Sequence, residues 1–189
     1  MRRLFVLVAA VVTLVGGLAP SVSARADTPY CGIRWGSLAK SDPDYSVAPI
    51  TNVRAGRHRC FDRLVVDLGA RPAGAPASDL GYEVRYVRQV GEDGSGRPVP
   101  LAGAADLLVI VHAPAHNIVT GIATYDPANP ARLVNVSGFS TFRQVAFAGD
   151  FEGQTTLGLG VRARLPFRVF VLAGPGSGSR LVIDVAHRW

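Results

Sequence analysis

Two segments far apart in this chain are nearly the same. Arg63-Leu64-Val65-Val66-Asp67-Leu68 and Arg180-Leu181-Val182-Ile183-Asp184-Val185 agree at four positions and differ conservatively at the other two. In each copy apolar residues alternate around an arginine at the start and an aspartate near the end. Leu64, Val66 and Leu68 share one face of an extended chain, and Val65 and Asp67 share the other. A period of two with β-branched residues is the mark of a strand packed on at least one side. Writing that strand twice, early and late, predicts a β-sandwich with internal pseudo-symmetry, one copy in each half. Chance repetition of a good strand sequence is the competing explanation.

The sequence between the copies carries the same signature. Tyr82–Val90, Leu107–His112, Leu133–Val136, Phe142–Ala148, Thr155–Arg162 and Phe167–Leu172 read as further strands. Asp93-Gly94-Ser95-Gly96 supplies a turn, and Gly158 and Gly160 imply a bulge or a close backbone approach. No window has a useful helical period. Many short strands at this spacing define an all-β, antiparallel sandwich or small barrel.

The first residues belong to a different class. Arg2 and Arg3 precede an apolar run from Leu4 to Leu18, and Ala24-Arg25-Ala26 offers a small-x-small cleavage site. Residues 1–26 are therefore expected to be a signal peptide cut after Ala26, with retention as an uncleaved anchor the other reading. Removing Arg2, Arg3 and Arg25 lowers the formal charge from +6 to +3. That mild surplus is not the footprint of a nucleic-acid protein. No second long apolar segment follows, so no stable membrane span is expected after cleavage.

Cys31 and Cys60 are the only cysteines. In an exported chain an even pair reads as a disulfide. It would tie an N-terminal arm, residues 27–52, to a domain over residues 53–189.

Several clusters are candidates for binding. "RAGRHRCFDR" gathers Arg57, His58 and Arg63 near Cys60 and could form a cationic pocket for carboxylate or phosphate, whose geometry the arginine fork matches. "VRARLPFR" sets Arg162 and Arg164 on one strand face, able to grip an anionic polymer. The bland reading of both is solvated charge at strand ends or on a protected edge. His112 and His116 have a spacing known from helical zinc sites, but Pro114 between them opposes a helix. No metal site and no cofactor is expected. Asp150 and Glu152 flank Phe151 as a turn, "GPGSGSR" lacks the lysine of a phosphate loop, and no serine sits in a nucleophile elbow. Asp67 and Asp184, equivalent in the repeat, are expected to be half-buried and hydrogen-bonded. Asn135 begins "NVS", an acceptor for glycosylation only in a host that uses it.

The ordered set "CGIRWGSLAK", "RAGRHRCFDRLVVDL", "GYEVRYVRQV", "GDFEGQTTLGLGV", "PFRVF" and "RLVIDVAH" resembles the AMIN-like domains of small secreted bacterial proteins. These are related to the AMIN domain found beside cell-wall amidases and secretins. The resemblance implies a β-sandwich with an envelope-binding or targeting role, directed at peptidoglycan or another wall polymer. With Trp189 two residues beyond His187, no amidase domain is expected to follow. The first expectation is thus a secreted, envelope-associated, non-catalytic domain that binds peptidoglycan, an associated anionic glycopolymer or an envelope protein. Arg57, His58 and Arg63 are its first contact set, and Arg162 and Arg164 its second. The alternatives are a secreted hydrolase, requiring two or more of His58, Asp62, Asp150 and Glu152 in one pocket, and a protein-interaction or accessory module with a broad apolar patch.

Overall fold

A computed structural model describes residues 28–70 and 80–189; the expected signal peptide lies outside these residues. After a short 3-10 turn at Tyr30–Gly32, the chain forms β1 (Lys40–Asp42), β2 (Ile50–Arg57), β3 (Phe61–Leu68), β4 (Tyr82–Val87), β5 (Val90–Gly91) and β6 (Pro98–Val99). It continues through β7 (Ala105–Val111), β8 (Phe142–Phe151), β9 (Gln154–Val161), β10 (Phe167–Ala173) and β11 (Ser179–Ala186). The strands make a five-stranded sheet ordered β1-β4-β7-β9-β8, a four-stranded sheet ordered β10-β11-β3-β2, and the β5–β6 ribbon. Every pairing is antiparallel. The described residues form an all-β sandwich.

The core follows from the alternation. Leu64, Val66, Leu181 and Ile183 point inward from the four-stranded sheet and meet Leu107, Val109, Leu157, Leu159 and Phe142 from the other, all fully buried. Each such side chain contributes roughly 1.5–3 kcal/mol by leaving water. The outer face of the five-stranded sheet carries a smaller core, in which Val90, Leu108 and Ala148 pack with Val99 and Leu101. Here the glycines of β9 have their reason. A Cβ on Gly160 would lie 2.1 Å from the Ala102 carbonyl oxygen, and one on Gly158 would lie 3.0 Å from Leu101.

The repeated segments are neighbours. β3 and β11 pair with Arg63 opposite Asp184, Val65 opposite Val182, and Asp67 opposite Arg180. An antiparallel pair reverses one strand, so a segment that starts with arginine and ends with aspartate brings opposite charges face to face with its own copy. The pseudo-symmetry is local: it relates the β2–β3 hairpin to the β10–β11 hairpin within one sheet, and does not divide the copies between the two sheets. Each aspartate is forked by one arginine and bonded once more, but the fork on Asp184 comes from the other copy and that on Asp67 from its hairpin partner. Asp184 is forked by Arg63 at 2.6 and 2.9 Å and bonded by Arg168 from β10 at 2.8 Å. Asp67 is forked by Arg54 at 2.7 and 2.9 Å and bonded by Asn52 from β2 at 3.2 Å. The symmetry breaks at Arg180, whose Nε is buried with no hydrogen-bond partner among the described residues.

Other expectations are corrected. Leu133–Val136 is a loop, not a strand: only Leu133 N–H, on the Val145 carbonyl, reaches β8 there, and the Asn135 side chain then turns the chain by accepting Ser137 N–H. Tyr82–Val90 breaks after Val87, and Val90 pairs with Val99 instead. β2 begins at Ile50, inside the stretch read as an arm, with Thr51, Asn52 and Arg54 exposed on an edge strand.

Candidate functional site

One end of the sandwich is where β3, β8 and β10 begin and β2, β9 and β11 finish. A buried carboxylate ties the two sheets together there. Asp62 is fully buried, and its Oδ2 accepts the N–H groups of Thr141 (2.6 Å) and Phe142 (3.1 Å), while Oδ1 lies 3.2 Å from His187 Nε2. Thr141 in turn donates its hydroxyl to the Ala186 carbonyl at 3.2 Å. His187, which has no evident partner in the sequence, is thus held by the acid that begins β3.

The N-terminal segment is strapped across the same end. Cys31 and Cys60 form a disulfide. Trp35 packs edge-on against Phe61 at 5.6 Å, and the Arg168 guanidinium lies 4.5 Å from the Trp35 ring centre. Gly36 C=O accepts Phe167 N–H at 3.0 Å. The disulfide indicates an oxidising, extracytoplasmic environment.

The expected contact residues divide into two groups. Arg57 and His58 stand exposed in and beside the β2–β3 turn, where His58 stacks on Phe61 at 4.5 Å. Arg162 and Arg164 are also exposed, but β9 ends at Val161, so they occupy the bend leading to β10 and not a strand face. Arg162 donates to the His187 carbonyl. Arg164 donates to Ser37 Oγ (3.3 Å) and O (3.2 Å) and lies over the Tyr86 ring. These four residues share this end of the molecule with Arg59, Arg143 and Arg188. Arg63 does not join them: its guanidinium sits on the outer sheet face and is engaged by Asp184. At the opposite end stand Asp42, Asp44, Asp93, Asp150 and Glu152, near the β8–β9 turn and the start of β4. The two ends thus differ in net charge, although Asp106 lies beside Arg164 at the arginine end and Arg97 and Arg180 stand towards the acidic one.

Beside the arginine end, the loop over 132–139 and the start of β8 enclose a cleft of about 540 Å³. Arg57 borders it, donating to the Gly138 carbonyl at 3.3 Å, with its guanidinium 6.0 Å from the centre of the Phe139 ring. Arg132, Asn135, Ser137, Arg143 and Gln144 are its polar lining, Gln144 being already bonded to Ala102, Pro100 and Ala131. Sequence reasoning missed this cleft because the apolar run Leu133–Val136 looks like a strand. The signal that could have found it is Pro130 before the run, Asn135 within it and Gly138 after it, all turn residues.

His58, Asp62, Asp150 and Glu152 do not converge. His58 stacks on Phe61, Asp62 is enclosed with His187, and the other two lie at the far end. There Asp150 Oδ2 meets His116 Nδ1 at 2.6 Å, a pairing that no local pattern signals. Among the described residues, no three His, Cys, Asp or Glu side chains stand close enough to hold a metal ion, and no helix is long and apolar enough to cross a membrane.

A family model described as the AMIN-like domain matches residues 48–187. It takes in both hairpins that carry the repeated segment, the arginine end and the cleft. Comparison with curated proteins finds no match. The matched span covers β2 through β11, well over half of the chain, and the chain belongs to the AMIN-like domain family.

Proposed function

We propose that this protein is an exported, non-catalytic domain that binds an anionic polymer of the cell envelope through its arginine end. The observation that carries the reading is the collection of Arg57, His58, Arg162 and Arg164 at one end of the sandwich, with Asp42, Asp44, Asp93, Asp150 and Glu152 at the other. Separated charge orients a domain in the field of a polyanion and speeds productive encounter. Arginine suits the role because its planar donor fork matches carboxylate and phosphate groups. Arg63 is left out of the contact set because Asp184 already occupies it. The export signal expected over residues 1–26 and the disulfide both support a protein working outside the cytoplasm.

Cosedimentation with purified peptidoglycan sacculi, with and without their attached anionic glycopolymer, tests this reading. The protein should pellet at low ionic strength. It should be released as added salt shortens the Debye length to about 10 Å at 0.1 M. The combined replacement of Arg57, Arg162 and Arg164 by glutamine should abolish pelleting while leaving the fold intact. Failure to pellet with either preparation at low salt overturns the reading.

A further inference from the structure

The arginine end explains attraction to a polyanion but not recognition of its repeating unit, since charge on an open surface is indifferent to what carries the opposite charge. The cleft beside it has different properties. Arg132 and Arg143 both line it, and no Asp or Glu does. Two other clefts of comparable size each hold a carboxylate among their arginines. Asp67 lies with Arg54 and Arg180 in one, and Asp106 with Arg88 and Arg164 in the other. Of these three clefts among the described residues, the first alone presents guanidinium groups without a resident counter-charge.

Its hydrogen-bonding capacity is one-sided as well. Arg143 is held in place by the carbonyls of Phe139 (3.0 Å), Phe142 (2.9 Å) and Ser140 (3.3 Å), leaving Nε without a partner among the described residues. Asn135 spends its Oδ1 on Ser137 N–H at 2.9 Å, which leaves its Nδ2 hydrogens unused. Arg132 and the Ser137 hydroxyl make no side-chain hydrogen bond to any described residue. Among the lining side chains the unspent groups are therefore chiefly donors, which favours a ligand rich in acceptors. Half-buried Phe139 adds an apolar wall, stacked on fully buried Phe142 at 6.0 Å and therefore rigid. The volume of about 540 Å³ falls in the range of small-ligand sites, roughly 300–1,000 Å³, and suits one or two sugar units.

We propose that this cleft binds one anionic sugar unit of the envelope polymer. The carboxylate or phosphate of that unit would lie between Arg132 and Arg143, with the sugar body against Phe139. The proposal rests on the polymer-binding reading and gives it a division of labour. The arginine end supplies long-range attraction, and the cleft selects the unit. Arg57 joins the two, since it is exposed at the arginine end and bonds Gly138 at the cleft's border.

Titrations followed by amide NMR test the assignment with three soluble probes. These are the peptidoglycan disaccharide with its lactyl carboxylate free, a phosphorylated N-acetylglucosamine, and a neutral disaccharide of N-acetylglucosamine. One of the two anionic probes should shift the amides of Ser137 and Gly138, and which one does so distinguishes a carboxylate from a phosphate ligand. Arg132→Gln should weaken that binding about tenfold, as expected for losing a charge-assisted hydrogen bond. Asn135→Asp, which keeps the turn-forming Oδ1 but brings a negative charge into the cleft, should weaken it at least as much. Arg97→Gln, at an exposed arginine paired with Glu92 away from both surfaces, should leave fragment affinity within about twofold. The proposal is overturned if neither anionic probe moves the cleft amides. It is equally overturned if the neutral disaccharide binds as well and Arg132→Gln has no effect. If sacculi still pellet in either case, polymer binding stands without the cleft. If the fragments bind but sacculi do not, the cleft stands and the polymer reading falls.

Discussion

Arg63 and Asp184 face each other across β3 and β11, with the guanidinium forking the carboxylate at 2.6 and 2.9 Å. One residue belongs to the first copy of the repeated segment and the other to the second. The carboxylate is fully buried, whereas the Arg63 and Arg168 side chains that hold it are 25% and 41% exposed. Neutralising the acid therefore strips a buried charge network of its centre, while removing one outer arginine leaves a fork in place. Asp184→Asn should lower the unfolding free energy by about 3 kcal/mol. Arg168→Gln should cost no more than about 1 kcal/mol. Urea unfolding of both variants gives the comparison, and equal losses would show that the second arginine matters as much as the fork.

A second stability prediction concerns β9. Gly160 has a backbone carbonyl 2.1 Å from where its Cβ would be, whereas Gly158 meets only the end of a leucine side chain at 3.0 Å. A side chain can rotate away more cheaply than a strand-flanking backbone can shift. Gly160→Ala should destabilise by about 3 kcal/mol and Gly158→Ala by about 1 kcal/mol, both through overpacking. Thermal unfolding of the two variants should keep that order.

The disulfide closes a loop with a sequence separation of 29 residues. On the chain-entropy account that closure stabilises the fold by about 3–4 kcal/mol, by restricting the unfolded chain. Cys31→Ser with Cys60→Ser should lose about that amount. The same variant should expose Trp35, visible as a red shift and quenching of its fluorescence before global unfolding.

Alkaline stability should depend on Tyr86. Burial raises the pKa of its phenol in the folded state, and the hydrogen bond to the Leu165 carbonyl and the nearby Arg164 charge oppose that rise only in part. A raised folded-state pKa means that the folded form holds its proton more tightly than the unfolded chain does. Its contribution is complete below the unfolded value near 10 and is lost as pH climbs through the folded value. Tyr86→Phe should be less stable than the parent at neutral pH, because the hydroxyl both donates to Leu165 O and accepts from Leu165 N. That gap should narrow above about pH 10. Tyr82 and Tyr125 are raised by burial as well, so a residual alkaline slope should remain in the variant.

Much of the sandwich was legible because its central strands are apolar on an alternating pattern. β3, β7 and β11 announce themselves in this way, as does β10 at a sheet edge, and the two glycines of β9 correctly signalled a close approach. β1 and β2 were not legible. One is three residues long, and the other is an edge strand whose outward positions carry Thr51, Asn52 and Arg54, so neither gives a strong apolar alternation. Leu133–Val136 misled in the opposite direction: these residues are apolar because they cover the core, not because they pair in a ladder. The arginines of the candidate site were visible as residue types. Their sharing of one end depends on strand order, and Arg63's commitment to Asp184 depends on register, neither of which can be read from local sequence. The cleft was hidden because Leu133–Val136, the middle of the loop that lines it, reads as strand.

The Cys31–Cys60 bond encloses more than a loop. Between the two cysteines lie β1, the outermost strand of the five-stranded sheet, and β2, the outermost strand of the four-stranded sheet. A single covalent ring thus girdles one flank of both layers at once. Open strand borders invite partners from other molecules. While the ring is intact, neither border strand can be drawn far from its seat without straining the other. Thiol reduction would therefore unlatch both layers together, and self-association by exchange of these strands should become possible only in the reduced protein.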